Sequence, residues 1–154
     1  MFFIPNSNFH FHFFKIFYLL SAGTYSPAPA LFAAAQCLGR CPAGTFSNQE
    51  GLASADQCLG RCSVGKFSGA TGLTKDEDCP GRCSAGKFSS SVGLVVDDQC
   101  LDCPPGRWSA ATGLKSKDEC QACPPGLFSD QVGLTLVTEC QGCLAGRWSS
   151  SSSL

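Results

Sequence analysis

The sequence predicts a small disulfide-rich repeat protein, an elongated array of short two-stranded β loops with little or no helix. Three observations carry this expectation. The 12 Cys of the 154-residue chain all fall between Cys37 and Cys143, about one residue in nine over that span. Such a density belongs to disulfide scaffolds or structural metal sites. The cysteines form six pairs that recur at an almost constant step. Finally, the hydrophobic fraction of 44% is inflated, because seven of the 12 Phe lie within the first 17 residues and every Cys is counted as apolar. What remains of the Cys-rich span is Gly, Ser, Ala and Leu, too few large apolar side chains for a deep core.

The repeat is defined by its spacing. The leading Cys of the pairs are Cys37, Cys58, Cys79, Cys100, Cys120 and Cys140, and the trailing ones are Cys41, Cys62, Cys83, Cys103, Cys123 and Cys143. Each trailing Cys precedes the next leading Cys by 17 positions, whereas the short gap is C-x3-C in the first three pairs and C-x2-C in the last three. The 17-residue unit is therefore the expected rigid module, with the short segment as a hinge outside it. Within the unit the pattern is C-x2-G-x-[FW]-S-x3-G-L-x5-C. The aromatic position is occupied by Phe46, Phe67, Phe88, Trp108, Phe128 and Trp148, followed each time by Ser.

Each part of the unit has a local rationale. Pro-Ala-Gly or Pro-Pro-Gly after the Cys makes a turn in which Gly supplies a positive φ. The aromatic triplet suits a short strand. The second Gly turns the chain back and brings Leu to the same face. The six aromatics are expected to be their own repeats' mini-cores, each with one Leu beneath a Cys bridge, rather than a ligand-stacking stripe. Lys66, Lys87, Arg107 and Arg147, adjacent to aromatics, should point to the opposite face into solvent. The acidic runs before the closing Cys, such as Asp76-Glu77-Asp78, lack the spaced oxygen ligands and fixed Gly turn of a calcium loop, and no cofactor is expected.

The repeat also suggests a division of the chain. Residues 37–143 are the tandem units of 20–21 residues, residues 144–154 a truncated last repeat, and residues 21–36 a degenerate partial one in which Gly23-Thr24-Tyr25-Ser26 matches Gly44-Thr45-Phe46-Ser47. Residues 1–20 form an apolar segment, read either as a signal peptide or as a gene-model artefact such as a translated intron end. Both ends cut through a repeat, so the chain is expected to be a fragment of a longer repeat protein.

Two chemistries fit cysteines at this spacing. Cys100, Cys103, Cys120 and Cys123 match a zinc ribbon when taken alone. Against zinc stand the C-x3-C pairs and the lack of any non-Cys ligand, as the only His are His10 and His12. Disulfides explain the constant 17-residue gap more simply, and a bridge closing such a loop contributes roughly 3 kcal/mol that a module this small needs. The favoured connectivity is Cys41–Cys58, Cys62–Cys79, Cys83–Cys100, Cys103–Cys120 and Cys123–Cys140, leaving Cys37 and Cys143 unpaired or with external partners. A staggered pattern, Cys37–Cys58 with Cys41–Cys62 and onward, uses all 12 cysteines and stays open.

Composition excludes several function classes. With 15% charged residues and a net charge of -1, there is no basic footprint for nucleic acid or a polybasic membrane mode. No run of about 18 apolar residues encodes a transmembrane helix. The repeats contain no His, so a Ser or Cys nucleophile would lack that base, and an enzyme is not expected.

The segment Cys103 to Cys123, CPPGRWSAATGLKSKDECQAC, resembles the ephrin type-A/B receptor-like cysteine-rich repeat, which groups with growth-factor-receptor and tumour-necrosis-factor-receptor-like cysteine-rich modules. The resemblance covers about residues 21–154. It implies a non-enzymatic extracellular stalk or adhesion and protein-binding module, secreted or in the ectodomain of a membrane protein, whose ligand is an extracellular protein or glycan. The alternative from the cysteine spacing is an intracellular zinc-binding CxxC adaptor. The C-x3-C pairs and Leu20, which stands where a trailing Cys is due, depart from the family pattern.

Overall fold

The structure is a computed structural model that describes residues 21–27 and 39–143. Residues 1–20 and 144–154, with Arg147 and Trp148, lie outside the described residues, as does Cys37. Among the described residues, twelve two-residue strands follow one another: β1 (Thr24–Tyr25), β2 (Gly39–Arg40), β3 (Thr45–Phe46), β4 (Gly60–Arg61), β5 (Lys66–Phe67), β6 (Gly81–Arg82), β7 (Lys87–Phe88), β8 (Leu101–Asp102), β9 (Arg107–Trp108), β10 (Gln121–Ala122), β11 (Leu127–Phe128) and β12 (Gln141–Gly142). They form six two-stranded antiparallel sheets in series, each from two consecutive strands. Among the described residues the only helical turns are short 3₁₀ turns, such as Asp76–Asp78, so the fold is a disulfide-rich repeat array as expected.

Local sequence dictates these elements. Gly44, three residues after Cys41, has φ 77° and Gly51 has φ 71°, conformations that disfavour any side chain. The tight first turn is closed by the Thr45 amide donating to the Pro42 carbonyl at 3.0 Å. Before Cys58, Cys79, Cys100, Cys120 and Cys140 the chain makes one 3₁₀ turn, and the Cys amide closes it, as in Cys79 donating to the Asp76 carbonyl at 3.1 Å.

The strand pairing differs from the sequence expectation. The partner of the aromatic strand is the short segment between the two cysteines that follow the unit, so that Phe46 faces Gly60 and Thr45 faces Arg61. The supposed hinge is a strand with a fixed register. On its other side the aromatic strand bridges in parallel to the Leu of the next unit: Tyr25 to Leu52, Phe46 to Leu73, Phe67 to Leu94, Phe88 to Leu114 and Trp108 to Leu134. The Ser after each aromatic cements this bridge, as the Ser47 amide donates to the Leu73 carbonyl at 3.1 Å.

The core is correspondingly divided into five small clusters. Cys62, Leu73 and Cys79 are buried together, and the aromatic packed on them is Phe46 from the preceding unit. Tyr25, Phe67, Phe88 and Trp108 each cover the following unit's Leu and cysteines in the same way. These aromatics are thus not their own repeats' mini-cores. The parallel bridge from the aromatic strand to the next unit's Leu brings the side chain onto that neighbour's core.

Candidate functional site

The chemistry of the chain resides in its cysteines and in the polar groups around them. The sulfurs join Cys41 to Cys58, Cys62 to Cys79, Cys83 to Cys100, Cys103 to Cys120 and Cys123 to Cys140, with Cα atoms 5.7–6.0 Å apart. All ten are buried, five of them completely. Cys143 is a partly exposed free thiol. Every bridge closes a 17-residue step, and the short strand lies between consecutive rings rather than inside one.

The extra residue of the C-x3-C pairs is accommodated before the strand. In the x3 pair Cys58/Cys62 it is Leu59, which is 81% exposed, and Gly60 then faces Phe46. In the x2 pair Cys100/Cys103, Leu101 follows the Cys directly and faces Phe88. The two forms differ in what the aromatic ring lies on. A Cβ on Gly39, Gly60 or Gly81 would stand 2.2–2.4 Å from the ring of Tyr25, Phe46 or Phe67, so in these units the ring covers the strand backbone itself.

The cations beside the aromatics are not free in solvent, contrary to the sequence expectation. Lys66 Nζ lies 2.6 Å from Asp76 and Lys87 Nζ 3.3 Å from Asp97, each pair within one ring. Arg107 donates to the Cys120 carbonyl at 2.9 Å. The strand turns these side chains along the ring, where the 3₁₀ turn presents acceptors. Asp76 also accepts from the Ser63 amide at 2.7 Å, and Asp97 from the Ser84 amide at 2.8 Å. Partial burial pushes the Asp76 carboxyl up, but hydrogen bonds from Lys66 and Ser63 and the Lys66 charge outweigh it and hold the group below its ordinary value. Asp97 is lowered likewise, burial being outweighed by Ser84 and Lys87.

A second set of acceptors sits immediately before the leading cysteines. Gln57, Asp78, Gln99, Glu119 and Glu139 turn back onto backbone amides; Asp78, for example, accepts from Thr74 and Lys75 at 3.0 and 3.2 Å. Hydrogen bonds from the Thr74 side chain and amide lower the Asp78 carboxyl, and those from the Leu136 and Thr135 amides lower Glu139. The acidic runs therefore serve the turns of their own rings. Among the described residues, no group of three or more His, Cys, Asp and Glu side chains is placed to hold a metal ion.

The sequence reading singled out neither these caps nor the buried Ser hydroxyls. Ser47, Ser68, Ser89, Ser109 and Ser129 are buried, and each accepts from the amide two residues on, at 3.0–3.2 Å. Their invariance across the units was the available sign. A shallow depression of about 100 Å³ beside Phe46, lined by Asn48, Gln49, Gln57, Leu59 and Gly60, is well below the size of a small-molecule site, roughly 300–1,000 Å³.

No family model matches the chain, and no curated protein resembles it at significant similarity. The structure itself supports a cysteine-rich module of the type found in oxidising extracellular environments. No helix among the described residues is long and apolar enough to cross a membrane.

Proposed function

We propose that this chain is a non-enzymatic extracellular stalk or adhesion module, of the kind found in ephrin receptor-like cysteine-rich repeats, and that it presents its strand faces to a protein or glycan. The observation that carries this reading is the series of five equal disulfide rings, each with a core completed by the aromatic of the unit before it. Such a design holds successive units in register with little apolar mass. It suits a spacer whose output is a repeated surface rather than one enclosed site. The polar groups fit the same role, because the lowered carboxylates of Asp76, Asp78, Asp97 and Glu139 are engaged by neighbouring amides, hydroxyls or lysines.

The test is intact mass of the protein secreted from a eukaryotic host, measured after alkylation without reductant. At most Cys37 and Cys143 should be alkylated, and the protein should carry no zinc. Twelve alkylated cysteines with stoichiometric zinc in a folded sample would overturn the proposal in favour of the intracellular zinc-binding adaptor.

A further inference from the structure

Three arginines occupy one equivalent position in successive repeats. Arg40, Arg61 and Arg82 each immediately precede a trailing Cys, end the short strands β2, β4 and β6, and are exposed. Across the strand pair they face Thr24, Thr45 and Lys66, none of which is an acid. Unlike Lys66 and Lys87, none of the three has an ion-pair or hydrogen-bond partner among the described residues.

Their stems are nevertheless fixed in a common way. The positions that a Cβ would take on Gly72, Gly93 and Gly113 lie 3.3–3.6 Å from stem carbons of Arg40, Arg61 and Arg82 respectively. Each arginine stem thus lies along the Gly-Leu turn of a later ring, and at Gly113 the Arg82 guanidinium Nη1 lies 3.5 Å from the same point. Part of the conformational freedom that binding would remove is already lost. The row ends at the next repeat, where Asp102 takes the same position against Gly133 and pairs across the strands with Lys87.

We infer that Arg40, Arg61 and Arg82 form an anion-binding ladder whose ligand is a sulfated polysaccharide. A guanidinium takes a sulfate or carboxylate through paired N–H donors, and a row repeated once per module matches a polymer with repeated charges. The cross-strand neighbours offer no aromatic anchor of the kind that dominates protein–protein binding, which favours a polyanion over a folded protein partner. The choice of an extracellular glycan rather than a nucleic acid rests on the extracellular reading above.

The experiment is salt elution of the full chain from immobilised heparin, against immobilised polyglutamate and single-stranded DNA of matched charge density. The wild type should be retained on heparin and elute from it at higher salt than from the other two. The triple variant Arg40→Gln, Arg61→Gln and Arg82→Gln should elute early. Its slope of log affinity against log salt should fall by about two to three, if each contact releases close to one counterion as phosphate contacts do. Lys115→Gln with Lys117→Gln should elute with the wild type. Unchanged alkylation mass establishes that the triple variant keeps its bridges. Flow-through of the wild type, co-elution of the triple variant with it, or equal retention on polyglutamate or DNA would overturn the ladder. Those results would leave the bridged cysteines, and hence the extracellular reading, intact; free thiols at the ten bridged cysteines of the wild type would instead defeat that reading first.

Discussion

The residue facing the aromatic is Gly39, Gly60 or Gly81 in the C-x3-C repeats and Leu101, Gln121 or Gln141 in the C-x2-C repeats. Gly60 and Gly81 lie under the rings of Phe46 and Phe67, where a Cβ would stand 2.3 and 2.4 Å from ring carbons. Gly142, which faces Leu127 rather than an aromatic, has nothing within 4 Å of the point its Cβ would take. Gly81→Ala should therefore destabilise its unit by about 1–3 kcal/mol through overpacking, while Gly142→Ala should be close to neutral; chemical denaturation of the two variants compares them directly. The acids act at the same scale. Asp76, Asp78, Asp97 and Glu139 all ionise more readily in the folded chain than their ordinary values of 3.8 for Asp and 4.5 for Glu. Near those values the unfolded chain binds more protons than the folded one, so stability rises with pH there. The contribution is fully present above the ordinary carboxylate range. It is lost as pH falls through that range toward the lowered folded values. Melting temperature should fall across this window, and Asp76→Asn should lower it at neutral pH while converging on the wild type in acid. A parallel offset between the two pH curves would show that Asp76 does not supply this linkage.

At the scale of the element, the aromatic strand is the piece that makes separate rings into an array. Phe67 belongs by sequence to the ring closed by Cys62 and Cys79, yet it packs on Cys83, Leu94 and Cys100 of the next one. Phe67→Ala should accordingly cost about 2–4 kcal/mol, somewhat less than a fully buried Phe. The loss should appear in the ring at 83–100 more than in its own. Amide hydrogen exchange resolved by peptide is the measurement, with protection falling in the segment around Leu94. Faster exchange confined to residues 62–79 would return the aromatic to its own unit. The short strand matters equally, because β4 holds β3 in place from the other side. Its register, rather than any hinge freedom, absorbs the switch between x3 and x2. The added residue, Leu59 or Pro80, precedes the paired positions and is exposed.

At the scale of the whole molecule, coupling reaches past the nearest neighbour. The turn at Gly44 meets the carbonyl of Gly93 two rings later, where a Cβ on Gly44 would stand 2.4 Å from that oxygen; Gly65 meets Gly113 in the same way. Adjacent rings are tied by backbone hydrogen bonds, as from the Gly72 amide to the Cys41 carbonyl at 2.8 Å. A simple chain of nearest-neighbour units thus understates the cooperativity. Gly65→Ala combines a positive φ with a backbone collision, and should destabilise by about 2–6 kcal/mol, lowering protection in the rings at 62–79 and 103–120 together. Removing one bridge as the pair Cys103→Ser and Cys120→Ser should cost roughly 3 kcal/mol, read by denaturant unfolding. Peptide mapping without reduction should recover Cys62 with Cys79; Cys58 with Cys79 would establish the staggered pattern instead.

The sequence by itself determined the unit: its 17-residue step, its two turn glycines, and the need for covalent closure in a chain too poor in large apolar residues for a deep core. These are local or compositional properties, and each is legible because it repeats. Tertiary structure alone decided which strand pairs with which, and therefore that Phe46 serves the core around Leu73 and that the Gly-Arg segment is a strand. A strict repeat places identical residues in every unit, so its pattern cannot distinguish a contact within one unit from the same contact made to the next. The partners of Lys66 and Lys87 were hidden for a related reason. Their acids lie ten residues away on 3₁₀ turns, and only the closed ring brings the two together.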